Sequence, residues 1–336
     1  MSHEYEEGWV AHTAAWHQLA DIKEDRPRTW EAAKEGYLNW EPEAAPIYEA
    51  TGPLRDNPDG PDFITYAAVR EIPGYHQVVR SDTKSLLTVQ PDSLAIIGNN
   101  EFGDLIEYIM GADIKGMPPI SFDTLSVLKG GRIVAVSLKL DRPFQIPGDD
   151  SLSVGYMHFW TRHDGLGGMK LGPGIMRIVC ANTQSFAEAF MDAKHAAMTI
   201  RHTKNWATRV EEARRHMVAS LGQMEAWETM ATDMAKTAVA ERDVEWFLDH
   251  WLPFSSDMTD RQKETVGKKR RAFLSAYDSQ TCESIRGTVY GLSQAAVEAC
   301  DHYFPAHSLE SRVTRTIVTG NTHKVRALQL ARQMSS

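Results

Sequence analysis

The chain has 336 residues, 42% of them hydrophobic and 24% charged, which supplies ample core material and excludes a disordered or fibrous polypeptide. No apolar run approaches the roughly 18–20 residues that span a bilayer, and the acidic start lacks a signal-peptide layout, so a cytoplasmic protein without membrane contact is expected. The net charge of −9 is uneven, with −12 over residues 1–150 and +3 over residues 151–336, so an acidic chain still holds a basic half suited to phosphates.

Residues 1–62 hold Trp9, Trp16, Trp30 and Trp40 among six prolines, a spacing that argues against any long regular element and predicts an extended arm. Residues 63–182 read as a β-rich core. Short strands are predicted over 63–72, 77–80 and 85–89, followed by a helix carrying Phe102, Leu105, Ile106 and Ile109 and closed by Gly111. Runs 121–128 and 132–140, joined by Lys129-Gly130-Gly131, predict a hairpin. Val154, Tyr156, His158 and Trp160 alternate along the next strand, Asp164-Gly165 marks a turn, and Gly172-Pro173-Gly174 precedes a last core strand over 175–180. From Thr183 the spacing turns helical, with Asn182 or Thr183 as N-cap. Phe186, Phe190, Met191, Ala197, Met198 and Ile200 are expected on one helix side, with helix continuing to Ala240. Further helices are predicted over 258–277, capped by Thr259 or Asp260, and over 281–303 and 323–334. The fold class is α+β: a central curved antiparallel sheet, a long helical C-terminal half over residues 183–336 packed on it, and the N-terminal arm. Residues 63–336 are expected to form one continuous domain.

Several landmarks fall in the order of a known family. They are Ala15-Trp16-His17, Val69-Arg70, Arg80-Ser81-Asp82-Thr83, Gly130-Gly131-Arg132, His163-Asp164-Gly165 and the run Arg177 to Thr183. Gly287-Thr288-Val289-Tyr290, Ala295 to Glu298, Asp301-His302, Gly320 and Lys324 follow. The chain resembles the phage/plasmid-like family built on a prokaryotic domain of unknown function, from about residue 9 to 332. Two departures are Gln18-Leu19-Ala20 after the Trp-His pair and Arg162 before His163. The resemblance implies a phage or prophage setting, often beside replication and recombination genes. The pattern of a small curved sheet followed by a long helix is also similar to single-strand annealing proteins of the RecT/Redβ type, a fold analogy.

Three chemistries are open to these residues. Basic side chains can bind a nucleic-acid backbone by charge and counterion release. Arg132, Lys139, Arg162, Lys170 and Arg177 would line the sheet side. Lys194, Arg201 and Lys204 would line the helix side, with Arg215 on a similar face, and Lys268, Lys269, Arg270 and Arg271 form the densest cluster. Tyr156, Phe159, Trp160 and Trp206 could stack on bases. The alternative for these charges is a solvated helix face above core aromatics. A nucleophilic site from Cys180, His163 and Asn182 would need a base in reach and a lowered thiol pKa; the competing account is a buried thiol, a turn histidine and a cap. Cys180, Cys282 and Cys300 include no Cys-x-x-Cys pair, adjacent His163-Asp164 and Asp301-His302 seldom chelate one ion, and phosphate-loop and dinucleotide motifs are missing, so no metal and no cofactor are expected. The expected function is an ATP-independent, phage-type single-stranded DNA-binding and annealing protein of recombination or replication. It would act as a homo-oligomer in the host cytoplasm, in ring or filament form, with a phage nuclease as a possible partner and the Trp-rich arm bridging neighbours. The rival readings are a non-catalytic phage structural or interaction protein and the Cys180/His163 enzyme.

Overall fold

A computed structural model of the chain describes residues 5–11, 22–24, 29–51, 54–56, 64–66, 69–111, 118–178, 182–185, 198–203, 205–305, 308, 311 and 322–335. The fold is α+β. Its centre is a nine-stranded sheet built on β1 (Tyr5–Ala11), β2 (Ile22–Glu24), β8 (Ile120–Leu128), β9 (Ile133–Leu140), β11 (Leu152–Arg162), β12 (Met169–Arg177) and β13 (Asn182–Ser185). The path runs β13-β12-β11-β9-β8-β1-β2, with β10 (Phe144–Gln145) on β11 and β14 (Met198–Ile200) on β12. All neighbours are antiparallel except β1 and β2. A second sheet of three strands joins β3 (Pro42–Ala50), β6 (Val69–Arg80) and β7 (Leu86–Pro91), while β4 (Leu54–Asp56) pairs with β5 (Ile64–Tyr66).

The β8–β9 hairpin forms where the glycine pair predicts it. Lys129, Gly130 and Gly131 all take positive φ, which glycine adopts without strain. Both faces of the central strands are buried, an arrangement usual for covered sheets and less so for antiparallel ones. Val134, Val136, Leu138, Met157 and Phe159 join the main core with the helices, whereas Ile133, Ala135, Tyr156, Trp160 and Met176 form a second cluster on the opposite face. The alternation read from β9 and β11 therefore separates two cores rather than core from solvent.

Helices α1 (Trp30–Gly36) and α2 (Asn99–Met110) lie before the hairpin. Helix α2 carries its predicted apolar stripe, Phe102, Leu105, Ile106 and Ile109, all buried. Gly111 ends it as a right-handed cap with φ −78°. Trp30 packs edge-on against Phe102 at 6.2 Å and its ring occupies the space a side chain on Gly103 would need. Trp30 and Trp40 are thus core residues of the chain itself. The proline-rich opening also holds more regular structure than the prolines suggest: β3 runs nine residues and tolerates Pro46 because the β3–β6 register breaks between Pro46 and Tyr48.

The C-terminal half is helical: α3 (Val210–Lys236), α4 (Glu241–Trp251), α5 (Asp260–Tyr277), α6 (Val289–Glu298) and α7 (Thr322–Ser335). Thr259 caps α5 by accepting the Gln262 amide, as its sequence predicts. Among the described residues, no helix is long and apolar enough to cross a membrane.

Four expectations are corrected. The helix expected from Thr183 is, over 182–185, strand β13 paired with β12. Met198 and Ile200 are both buried, but with period two, as alternate residues of β14. Phe186, Phe190, Met191 and Ala197 lie outside the described residues. The Gly172-Pro173-Gly174 stretch is inside β12, not before it. β14 pairs with residues 169–171 and β13 with 174–177, so on that side of β12 Pro173 falls in the gap between them, while on the other side it lies opposite Met157 of β11. The helix expected over 281–303 is divided into a 3₁₀ turn (Gln280–Ile285), α6 and a π turn (Ala299–Tyr303), with Gly287 at φ 79° between the first two.

Two buried ion pairs brace the core, one linking the sheet to the helical half and one within that half. Arg177 of β12 donates to both Asp149 carboxylate oxygens at 2.7 and 2.6 Å and to the Thr281 carbonyl at 2.6 Å. The Thr281 hydroxyl in turn donates to Glu298 of α6 at 2.6 Å. Lys324 of α7 meets Asp301 of the π turn at 2.5 Å, with both side chains inaccessible to solvent.

Candidate anion-binding groove

The small sheet docks at one end of the large one, where three turns meet. Arg132, at the start of β9, donates to the carbonyls of Leu86 and Leu87 of β7. Trp40 sits under the Arg80 guanidinium at 4.3 Å and edge-on to His163 at 5.7 Å, close enough that Gly131 could not carry a side chain without displacing it. Two Arg-x-Asp turns flank this contact. Arg80 grips Asp82 with Nε and Nη2 at 3.0 and 2.7 Å, and Arg162 grips Asp164 in the same way at 2.9 and 2.5 Å. Such forks fix a turn by paired charge-assisted hydrogen bonds.

The Asp164 carboxylate also accepts the Leu166 amide at 3.1 Å, shaping the β11–β12 turn. Burial disfavours its charge, but the Arg162 and Leu166 donors outweigh that and hold it below the usual carboxylate range. His163 points inward. The Asn99 amide donates to the Trp40 carbonyl at 2.8 Å, which leaves the Asn99 Oδ1 to accept from His163 Nε2 at 3.0 Å. His163 is therefore the Nε2–H tautomer, and burial lowers its pKa to about 3. His202, after β14, is likewise held neutral by burial. His163 Nδ1 and His202 Nε2 have no hydrogen-bond partner among the described residues.

Beside this turn lies a groove of about 460 Å³. Its lining includes Gln90 of β7, Gly165, Gly167 and Gly168 of the turn, Lys170 of β12, and Thr199, Arg201 and His202 at β14. Thr199 is directly opposite Lys170 in the ladder, which puts Arg201, two residues on, on the same side. Gly168 permits this approach, because a Cβ there would stand 2.2 Å from the Ile200 carbonyl oxygen. Gly168→Ala is accordingly expected to push β14 off β12 and cost about 1–3 kcal/mol. A urea midpoint unchanged from wild type would show that the strands separate freely.

The twelve basic residues singled out in the sequence divide by their partners. Arg177 is corrected: it is 2% exposed and bound to Asp149, so it cannot face a ligand. Arg162 is held by Asp164, Lys268 by Glu264 at 2.8 Å and Arg270 by Asp249 at 2.7 Å. Lys269 meets His323 at 2.8 Å and lies over the Phe304 ring. Arg132 is committed to backbone carbonyls, and Lys139, half-buried, lies near the carboxylate of Asp123 on the sheet. Lys170 and Arg201 line the groove with no carboxylate within ion-pair distance among the described residues, and Arg271 on α5 is similarly unpaired. Arg201 does not share a helix face with Arg215, since it follows a strand and Arg215 belongs to α3. Lys194 and Lys204 lie outside the described residues. Tyr156, Phe159 and Trp160 are buried core rather than exposed stacking surfaces.

The nucleophilic alternative loses its base: His163 is buried, neutral and tied to Asn99. Cys180 lies outside the described residues. Burial raises the Cys282 thiol to about 11. Gln90, Thr199, Thr203 and the Gly167-Gly168 pair were not evident as site residues from the sequence, because only the sheet pairing brings them beside Lys170.

This combination of a large antiparallel sheet, a helical half and buried ion pairs lies mostly within residues 95–329, which match the family model described as a domain of unknown function, DUF932. The chain belongs to that family. No curated protein and no solved structure matches it. The N-terminal landmarks, including Trp16-His17 and Arg80 to Thr83, fall before the matched span.

Proposed function

We propose that the protein binds single-stranded DNA without ATP, as a phage-type annealing protein of recombination or replication, and that the strand's phosphates run past Lys170 and Arg201. The observation that carries this reading is the convergence of those two unpaired cations, 31 positions apart in sequence, on one groove. Neutral His202 and Gln90 in its lining add polar contacts without opposing charge. Arg162, Arg177, Lys268 and Arg270 are each paired with a carboxylate, whereas Lys170 and Arg201 have charge available to release counterions.

Fluorescence anisotropy with a labelled oligonucleotide across a salt series tests this. Wild type is expected to bind and to weaken with salt. Lys170→Gln/Arg201→Gln is expected to bind more weakly and to lower the log–log salt slope by about 1.4, since each lost phosphate contact on a single strand removes roughly 0.7. Absence of binding at low salt by folded wild type, or an unchanged slope in the double variant, would overturn the assignment.

A further inference from the structure

A second surface lies on the helical half. Helices α4 and α5 border a groove of about 640 Å³ with an apolar floor of Val244, Leu248, Leu274 and Tyr277. Leu274 of this floor is 39% exposed, and Phe254, beneath the Arg270 guanidinium at 5.1 Å, is 53% exposed. Exposed large apolar side chains at an apolar groove are the composition of interface anchors rather than of scattered surface residues.

The charges identify the occupant. Helix α4 carries Glu241, Asp243, Glu245 and Asp249 against Arg242, a net −3, while α5 carries six Lys and Arg against Asp260 and Glu264, a net +4. Arg270 of α5 and Asp249 of α4 neutralise each other. Glu241 and Glu245, one turn apart on α4, have no cationic partner within ion-pair distance among the described residues, and Arg261, Lys263 and Arg271 on α5 have no acidic one. One molecule therefore presents both halves of a complementary pair, each unsatisfied within the chain. A nucleic acid would be repelled by α4, and a partner of single charge sign would satisfy one helix only. A second copy related by a twofold axis satisfies both, because an isologous contact sets each α4 against the other's α5. We infer that α4 and α5 form a homotypic interface, with Leu274 and Phe254 at its apolar centre and acidic α4 of one copy against basic α5 of the other.

Sedimentation velocity on the full chain tests it with charge reversals at exposed positions. Glu241→Lys/Glu245→Lys makes both helices basic, and Arg261→Glu/Arg271→Glu shifts α5 toward the acidic charge of α4. Each variant alone is expected to self-associate at least about tenfold more weakly than wild type, and an equimolar mixture is expected to recover association as a heterodimer. Circular dichroism identical to wild type confirms the fold of each variant. The inference fails if wild type is monomeric at its highest soluble concentration in low salt. It also fails if either variant assembles as wild type does, or if the mixture stays apart. None of these outcomes depends on DNA binding.

Discussion

Lys324→Met is expected to destabilise the protein by about 3–5 kcal/mol, read as a lowered urea midpoint with an unchanged slope. The lysine ammonium and the Asp301 carboxylate meet at 2.5 Å with no solvent access to either side chain. Removing the cation leaves a carboxylate in the core without its opposite charge. The pair itself is a different quantity. Two charges taken from water lose most of their mutual attraction to desolvation, so the double variant Asp301→Leu/Lys324→Met is expected to recover much of the loss. A single variant as stable as wild type would show that the pair contributes nothing to holding α7 on the π turn. The same contact gives a physical reason for two landmarks of the family resemblance, Asp301-His302 and Lys324, which are distant in sequence and meet here.

The second large effect depends on pH. Asp123 sits where the β8–β9 register shifts, 1% exposed, and burial pushes its pKa up to about 7 despite the Thr124 hydroxyl at 2.7 Å and the nearby Lys139. Its ordinary value is 3.8, so between roughly pH 4 and pH 7 the folded chain retains a proton that the unfolded chain has released. Stability therefore falls as pH rises through that window, and above it the native state bears the full cost of a buried anion. Asp123→Asn keeps the shape and the acceptor for Thr124 without the charge. It is expected to match wild type near pH 4 and to exceed it by on the order of 4 kcal/mol above pH 7. Denaturation midpoints of both proteins at pH 4, 6 and 8 decide the matter. A gap that is constant with pH would place the effect in packing rather than in ionisation.

Local chemistry was legible in the sequence wherever a single residue type settles a conformation. Gly130-Gly131 marks the hairpin, Thr259 marks the α5 start, and the stripe from Phe102 to Ile109 marks α2. Residues 182–185 and 198–200 were misread because their spacing fits a helix as well as a short strand, and only pairing with β12 decides between them. Helix α4 went unread because its N-cap, Ala240, offers no side-chain oxygen to announce it. For the candidate groove, the sequence supplied Lys170 and Arg201 among twelve basic residues with nothing to rank them. Ranking needs to know which cations are already paired, and some of those partners are far away in sequence: Asp149 lies 28 positions before Arg177, and His323 lies 54 after Lys269.

The placement of β1 beside β8 has a consequence for biosynthesis. Their register joins Val10 to Thr124, so the first strand, whose other neighbour β2 follows at once, cannot meet β8 until about 115 further residues have been made. At ribosomal speeds of roughly 5–20 residues per second, that is a delay of about 6–23 seconds. During it the β8-facing side of β1 is an unpaired hydrogen-bonding edge, open to pairing with another nascent chain. The slow, long-range closure of this strand is where overexpressed protein is expected to be lost to inclusion bodies, and slower translation at low temperature, which spaces nascent chains in time, is the condition expected to rescue it.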